Sequence, residues 1–326
     1  MNILLVRIGR MGDIVMILPA LLALKKRYPH AYFYALTTPD GVRLLRVTGL
    51  IDSDKLWSYR HTLFQRLVDT RGIKRLLRQH HFDLVYCFER KQRIINLLPA
   101  HTQVLPAQTP VIHYARRCLA LVNGDALRAS PYLSVPIGVN ESVLAALKKN
   151  GITDKTILIG FHPTYSGYGK WFHQREHTDR LWPVDSYAML AKRLHQFANK
   201  TGLPLMVVMD LLPSERAIGE AISKKSEGAA RLLTVTGDFQ RYLALISRYN
   251  VLIAANTGVM HLAAALNTPV LALFSRLHPS DCGPFMPDDR CIVLRAEDTI
   301  QPQLGLAAIS VDKVFDGVCK LLGIAE

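Results

Sequence analysis

The stretch 251-VLIAANTGVMHLAAALNTPVLALF-274 decides the fold. Residues 251–255 form an unbroken apolar run of the kind that a parallel strand covered on both faces requires, and the run stops at Asn256-Thr257-Gly258. The chain turns there. Gly258 permits a close approach by another molecule, and Thr257 is a residue type that caps helices. A helix is expected over residues 259–266, punctuated by Asn267-Thr268-Pro269, with a second buried strand over 270–274. A helix that starts at the carboxyl end of a parallel strand offers unpaired N–H groups and a partial positive charge, a setting suited to a diphosphate. His261, in the first turn of that helix, is placed to donate to the same anion. An ordinary strand–helix–strand crossover with a satisfied histidine accounts for the same pattern.

Length and composition set the frame. At 326 residues the chain has room for two α/β domains with sizeable cores, and 49% hydrophobic against 20% charged residues is an ordinary globular balance. No run of 18 apolar residues occurs, so a membrane-spanning helix is not expected. The opening MNILLVRIGRMGDIV is too short and too interrupted by Arg7 and Arg10 to read as a signal peptide. Cys87, Cys118, Cys282, Cys291 and Cys319 lack metal-ligand spacing, which points to a reducing, cytoplasmic setting.

A formal charge of +14 calls for a polyanionic partner: nucleic acid, an anionic membrane face or an acidic substrate. Basic residues crowd 60-RHTLFQRLVDTRGIKRLLRQHH-81 and 90-RKQR-93, a charged helix and turn with no nucleic-acid-binding motif, so nucleic acid ranks last.

Residues 2–8 read as a strand, Gly9-Arg10-Met11-Gly12 as a glycine loop, residues 14–28 as a helix and 31–36 as a second strand. The loop is G-x-x-G-D, so the dinucleotide fingerprint G-x-G-x-x-G is missing. Asp13 stands where the helix starts. It fits two roles, a helix cap and a general base at the ligand-binding end of the sheet. Strands are expected at 82–88, 102–105, 157–161, 204–209 and 231–236. Helices are expected at 89–98, 114–122, 184–199, 214–224, 239–249 and 311–322, and one capped by Asn140 and running to Lys149. The polar segment 162–183 is long enough to suggest function or mobility.

Strands and helices alternate twice over, each half starting afresh with a strand. The expectation is an α/β protein of two parallel-sheet domains, 1–150 and 151–326, facing each other across a cleft. The closing helix has two homes open to it, its own domain or a return onto the first.

The order N-T-G-x-M-H-L-A-A-A-L-x-T-P-V-x-A-L-F resembles the carboxyl-terminal signature of the family-9 glycosyltransferases, the bacterial lipopolysaccharide heptosyltransferases. Residues 9-GRMGDIVMILPAL-21 are similar to that family's amino-terminal signature. The resemblance implies two facing Rossmann-like domains in the GT-B arrangement, the first for the acceptor and the second for the donor. It implies transfer of a heptose from ADP-L-glycero-D-manno-heptose to the lipopolysaccharide inner core, with inversion and with no metal or cofactor.

Carried onto this sequence, the base falls on Asp13 and the diphosphate turn on Thr257, Gly258 and His261. A phosphate-binding cation falls on Arg180 with Lys170 as rival, and a nucleoside-binding acid on Glu215. Each has a plainer alternative: solvated loop charges for Arg180 and Lys170, a dipole-favoured carboxylate for Glu215, and turn glycines for Gly9 and Gly12. Where the family opens its motif with Asp, this chain has Asn256, which keeps the shape, adds a donor and loses the charge. A different heptose, a hexose or an N-acetylhexosamine donor therefore stays open.

The chemistry agrees with these parts. A carboxylate takes the acceptor's proton and positive groups hold the leaving diphosphate. The implied partners are a nucleotide-diphosphate sugar, an anionic lipopolysaccharide core and the inner face of the inner membrane as a peripheral surface. A nucleotide-sugar 2-epimerase of the same architecture and a non-catalytic binding module are the competing readings.

Overall fold

The computed structural model describes residues 1–59, 63–106, 112–124, 132–165, 178–234 and 236–324. The chain divides into two compact units, Met1–Leu127 and Arg128–Glu326.

The first unit is a parallel sheet of β1 (Asn2–Arg7), β2 (Tyr32–Thr37), β3 (Leu56–Ser58), β4 (Leu84–Cys87) and β5 (Gln103–Val104), in the order β3-β2-β1-β4-β5. Its centre is apolar because both faces of β1 are covered: Ile3, Leu4 and Val6 are fully buried and Leu5 nearly so. The helix expected over 14–28 is two pieces, Met11–Val15 and Leu18–Arg27. Pro19 lies in the first turn of the second piece, and its ring nitrogen has no hydrogen to continue the ladder from the first. The charged segment forms the helix Leu63–Gln79.

The second unit has six parallel strands, β6 (Ile157–His162), β7 (Leu205–Asp210), β8 (Ala230–Leu233), β9 (Val251–Ala255), β10 (Val270–Phe274) and β11 (Cys291–Arg295), in the order β11-β10-β9-β6-β7-β8. Numbered from its own first strand this is 6-5-4-1-2-3, the doubly wound order whose direction reverses between β6 and β9. In the first unit the reversal falls between β1 and β4. Ligands of such sheets bind beyond the carboxyl ends of the two strands at the reversal, so residues just after β1, β4, β6 and β9 are the ones to inspect.

One expectation is corrected here. The helix Ile137–Lys149 begins before Asn140, with Pro136 at its N-cap, because proline's fixed backbone angle suits the entry to a helix. The two compact units divide at 127/128. Arg241 of the helix Phe239–Ile246 donates to Ser142 Oγ at 2.5 Å, and the amides of Tyr132 and Leu133 both donate to the Ala265 carbonyl, at 3.0 and 3.1 Å, so this stretch belongs with the second unit. The closing helix Val311–Leu322 buries Val314, Phe315, Val318 and Cys319 in the core of the second unit, with β9, β10 and β11, so its apolar face is already used there.

Candidate active site

In the first unit, β1 delivers Arg7 to the sheet's carboxyl end, and Gly9 carries the chain into the short helix that bears Asp13. The Thr38 hydroxyl, just beyond β2, donates to the Gly9 carbonyl at 2.7 Å and fixes the loop. A glycine is required at this position: a Cβ there would lie 2.5 Å from Asp13 Cβ and 2.6 Å from its Oδ2.

Asp13 makes the capping bond expected of it. Its Oδ2 accepts the Arg10 amide at 2.7 Å, which is the capping role, and its Oδ1 accepts from Arg7 Nη2, also at 2.7 Å. The side chain remains 30% exposed, and a carboxylate with about four acceptor positions keeps a free lone pair on each oxygen after these two bonds.

Arg7 was not anticipated as a site residue. Its guanidinium also reaches Glu89 Oε1 at 3.4 Å and lies over the Tyr114 ring, 4.9 Å from the centroid. Glu89 follows β4 and is buried, with Oε1 also accepting the Arg90 amide at 2.9 Å. A charged residue closing an apolar strand was the only sequence signal for either. The Tyr114 hydroxyl donates to the Phe88 carbonyl at 2.6 Å, and burial pushes its phenol well above the usual range. Burial likewise pushes the Cys87 thiol up to about 11 and the Cys118 thiol up to about 12, so both stay protonated and neither is a nucleophile near neutrality.

In the second unit β9 ends in the expected turn, and the helix Gly258–Ala265 starts from Thr257 in extended conformation. Thr257 occupies the N-cap position, but its side chain makes no capping bond; Oγ1 is buried without a partner among the described residues. His261 lies in the first turn and is only 4% exposed. The first N–H groups of this helix have no partner within it. Arg180 is not a loose loop charge: Nη2 donates to the Asn256 carbonyl at 3.3 Å, and the guanidinium lies over the Tyr165 ring at 5.2 Å. Its rival, Lys170, lies outside the described residues.

Glu215 ends a short 3-10 turn, Pro213–Glu215, and the helix expected from Ser214 starts at Arg216. Its Oε2 accepts the Leu212 amide at 3.3 Å and its Oε1 accepts the Thr164 hydroxyl at 2.8 Å. Having given its hydrogen to a carboxylate, Thr164 Oγ1 is an acceptor for His162 Nε2 at 3.3 Å. That assigns the tautomer and leaves Nδ1 to accept from the Tyr242 hydroxyl at 3.5 Å. Burial pushes His162 down to about 4, so the ring is neutral, as the chain of bonds requires. His162 pairs in register with Ala254, which places this chain beside the β9 turn. The sequence reading missed His162, Thr164 and Tyr242, since polar residues at a strand's end carry no local mark of their partners.

Residues 160–304 match the family model of glycosyltransferase family 9 (heptosyltransferase). The match lies within the second unit and includes Arg180, Glu215 and the Asn256–His261 turn, but not Asp13. A family-9 glycosyltransferase from Veillonella parvula has a similar structure, with a TM-score of 0.78 at 18% identity, covering 98% of this chain and 97% of that one. The E. coli ADP-heptose lipopolysaccharide heptosyltransferase II gives 0.71 at 19% identity, over 99% and 98% of the two chains. E. coli heptosyltransferase WaaC, solved with ADP, gives 0.69 at 15%, over 98% and 100%. None of the curated proteins matches the sequence.

Two doubly wound parallel sheets of this kind, along nearly the whole length of such structures, are the GT-B fold, and the chain is a glycosyltransferase. Its second unit carries a glycosyltransferase family 9 (heptosyltransferase) domain.

Proposed function

We propose that the protein transfers a heptose from ADP-L-glycero-D-manno-heptose to the inner core of lipopolysaccharide or lipooligosaccharide, with inversion. The observation that carries the reading is the Asn256-Thr257-Gly258 turn inside the family-9 domain, with Arg180 bonded to it. The second unit binds the donor. Its diphosphate lies at the N-terminus of the helix Gly258–Ala265, near Arg180 and His261, with Lys170 a further candidate cation, and Glu215 takes the nucleoside's ribose. The first unit presents the acceptor to Asp13.

In the reaction the acceptor oxygen bonds to the anomeric carbon as the bond from that carbon to the diphosphate oxygen breaks. The acceptor's proton passes to Asp13, and the charge left on the diphosphate is held by the helix terminus and Arg180. Arg7 holds Asp13 in orientation, with a lone pair on each oxygen to receive the proton. A net charge of +14 suits an acceptor rich in phosphates and acidic sugars, and peripheral attachment to the inner face of the inner membrane. No helix among the described residues is long and apolar enough to cross a membrane.

Asn256, in place of an acidic residue, favours a second reading in which the donor is another nucleotide sugar, a hexose or an N-acetylhexosamine. One experiment separates the two: incubation with ADP-, UDP- and GDP-sugars, with and without truncated lipopolysaccharide cores, following nucleoside diphosphate release. Core-dependent release from ADP-heptose alone establishes the first reading, and core-dependent release from another sugar the second. Release without any acceptor points to an epimerase or hydrolase, and no release with any pair overturns the transferase assignment.

A further inference from the structure

The Asn256 turn is held on three sides. Its amide donates to the Leu273 carbonyl at 3.1 Å, its carbonyl accepts from Arg180, and its side-chain Nδ2 donates to Cys282 Sγ at 3.4 Å. Cys282 ends the short helix Pro279–Cys282, and its thiol donates to the His278 carbonyl at 3.7 Å. With its hydrogen committed there, the sulfur turns a lone pair toward Asn256. A lone pair attracts an N–H and repels a carbonyl oxygen, so the carboxamide is fixed with Nδ2 on the sulfur and Oδ1 on the opposite side.

The neighbouring Thr257 points independently to a ligand. It is 7% exposed and its hydroxyl has no hydrogen-bond partner among the described residues, a state that costs about 1–3 kcal/mol unless something binds to it. A buried donor without an acceptor and a carboxamide oxygen held in one orientation thus stand on adjacent residues of the same turn.

We propose that Cys282 is a positioning residue for donor recognition: through Asn256 it holds a neutral oxygen acceptor toward a hydroxyl of the donor's sugar. The proposal rests on the nucleotide-sugar reading above and adds to it how this chain reads the sugar rather than the nucleotide.

The test is calorimetric binding of ADP and of ADP-heptose, with UDP- and GDP-sugars alongside, to the wild type, Cys282→Ala and Cys282→Ser. In Cys282→Ala the carboxamide is free to rotate, so affinity for the nucleotide sugar falls about 5-fold, while affinity for ADP changes less than about 2-fold. Serine can donate to His278 and accept from Nδ2, and restores most of the loss. Equal weakening of ADP and the nucleotide sugar, an unchanged nucleotide-sugar affinity in Cys282→Ala, or a serine variant no better than alanine overturns the proposal and leaves the transferase assignment standing. A wild type that binds no nucleotide sugar removes both.

Discussion

Arg7 donates from Nη2 to Asp13 Oδ1 at 2.7 Å, and this bond joins the last residue of β1 to the proposed base six positions later. The same guanidinium is the cation beside the buried Glu89, whose side chain is 3% exposed. Removing it leaves a buried carboxylate without its counter-charge. Arg7→Met is therefore expected to lose about 3 kcal/mol of stability in urea denaturation. Arg7→Met with Glu89→Gln should recover most of that, and strictly additive losses would show that the two side chains are not coupled.

Asp13→Asn keeps an oxygen acceptor for only one of the two donors, the Arg10 amide and Arg7, and removes the proton acceptor. Turnover should fall about 10²–10⁴-fold while donor affinity stays nearly constant. Gly9→Ala is the indirect counterpart. Its methyl group would sit 2.5 Å from Asp13 Cβ, so the side chain must move, and a fall in kcat of about 10-fold with unchanged donor binding is expected. Full activity in either variant, measured as nucleoside diphosphate release, would remove Asp13 from the mechanism.

His162 gives the protein an acid-side sensitivity of defined sign. Burial holds the ring neutral down to about pH 4, whereas in the unfolded chain it protonates near 6.5. Between these values the unfolded state binds more protons, so stability is undiminished above about 6.5 and declines as pH falls toward 4, by on the order of 3 kcal/mol. His162→Gln should flatten that part of the profile. Denaturation curves for both proteins at pH 7 and pH 4.5 check it, and an identical pH dependence would contradict it.

Thr164→Val deletes the hydroxyl that donates to Glu215 at 2.8 Å while keeping the side chain's shape. Glu215 then loses one of its two bonds, and affinity for ADP should drop about 5-fold with kcat at saturating donor unchanged. Fluorescence or calorimetric titration with ADP decides this, and an unaltered affinity would detach Glu215 from the nucleoside.

The sequence was most legible where local pattern and tertiary burial agree. β9 and β10 fall on the expected residues because an apolar run covered on both faces has no other place in such a sheet, and the closing helix Val311–Leu322 matches for a similar reason. β11, an edge strand whose five residues are all only partly buried, was missed. The helix Pro39–Thr48 and β3 were also unread, one short and mixed and the other three residues long.

Asp13 and the Asn256 turn could be singled out because each follows a recognisable strand, and Arg180 because it stands just ahead of Trp182-Pro183. Their partners could not be. Glu89 is 82 positions from Arg7, Glu215 is 51 from Thr164 and Cys282 is 26 from Asn256, and only the winding of the sheets brings such residues together.

The turn that carries Arg180 leans on a later part of the chain. Gly305 has a positive φ of 59° and sits so close to Asp179 that a Cβ would meet its carbonyl oxygen at 2.5 Å, and Trp182 donates from its ring to the Ile309 carbonyl at 2.9 Å. The donor-side arginine is thus buttressed from beyond the last strand. A protein shortened to end near residue 300 would keep every proposed binding residue in its sequence yet lose the scaffold that aims one of them, so boundaries for a minimal donor-binding fragment belong after the closing helix.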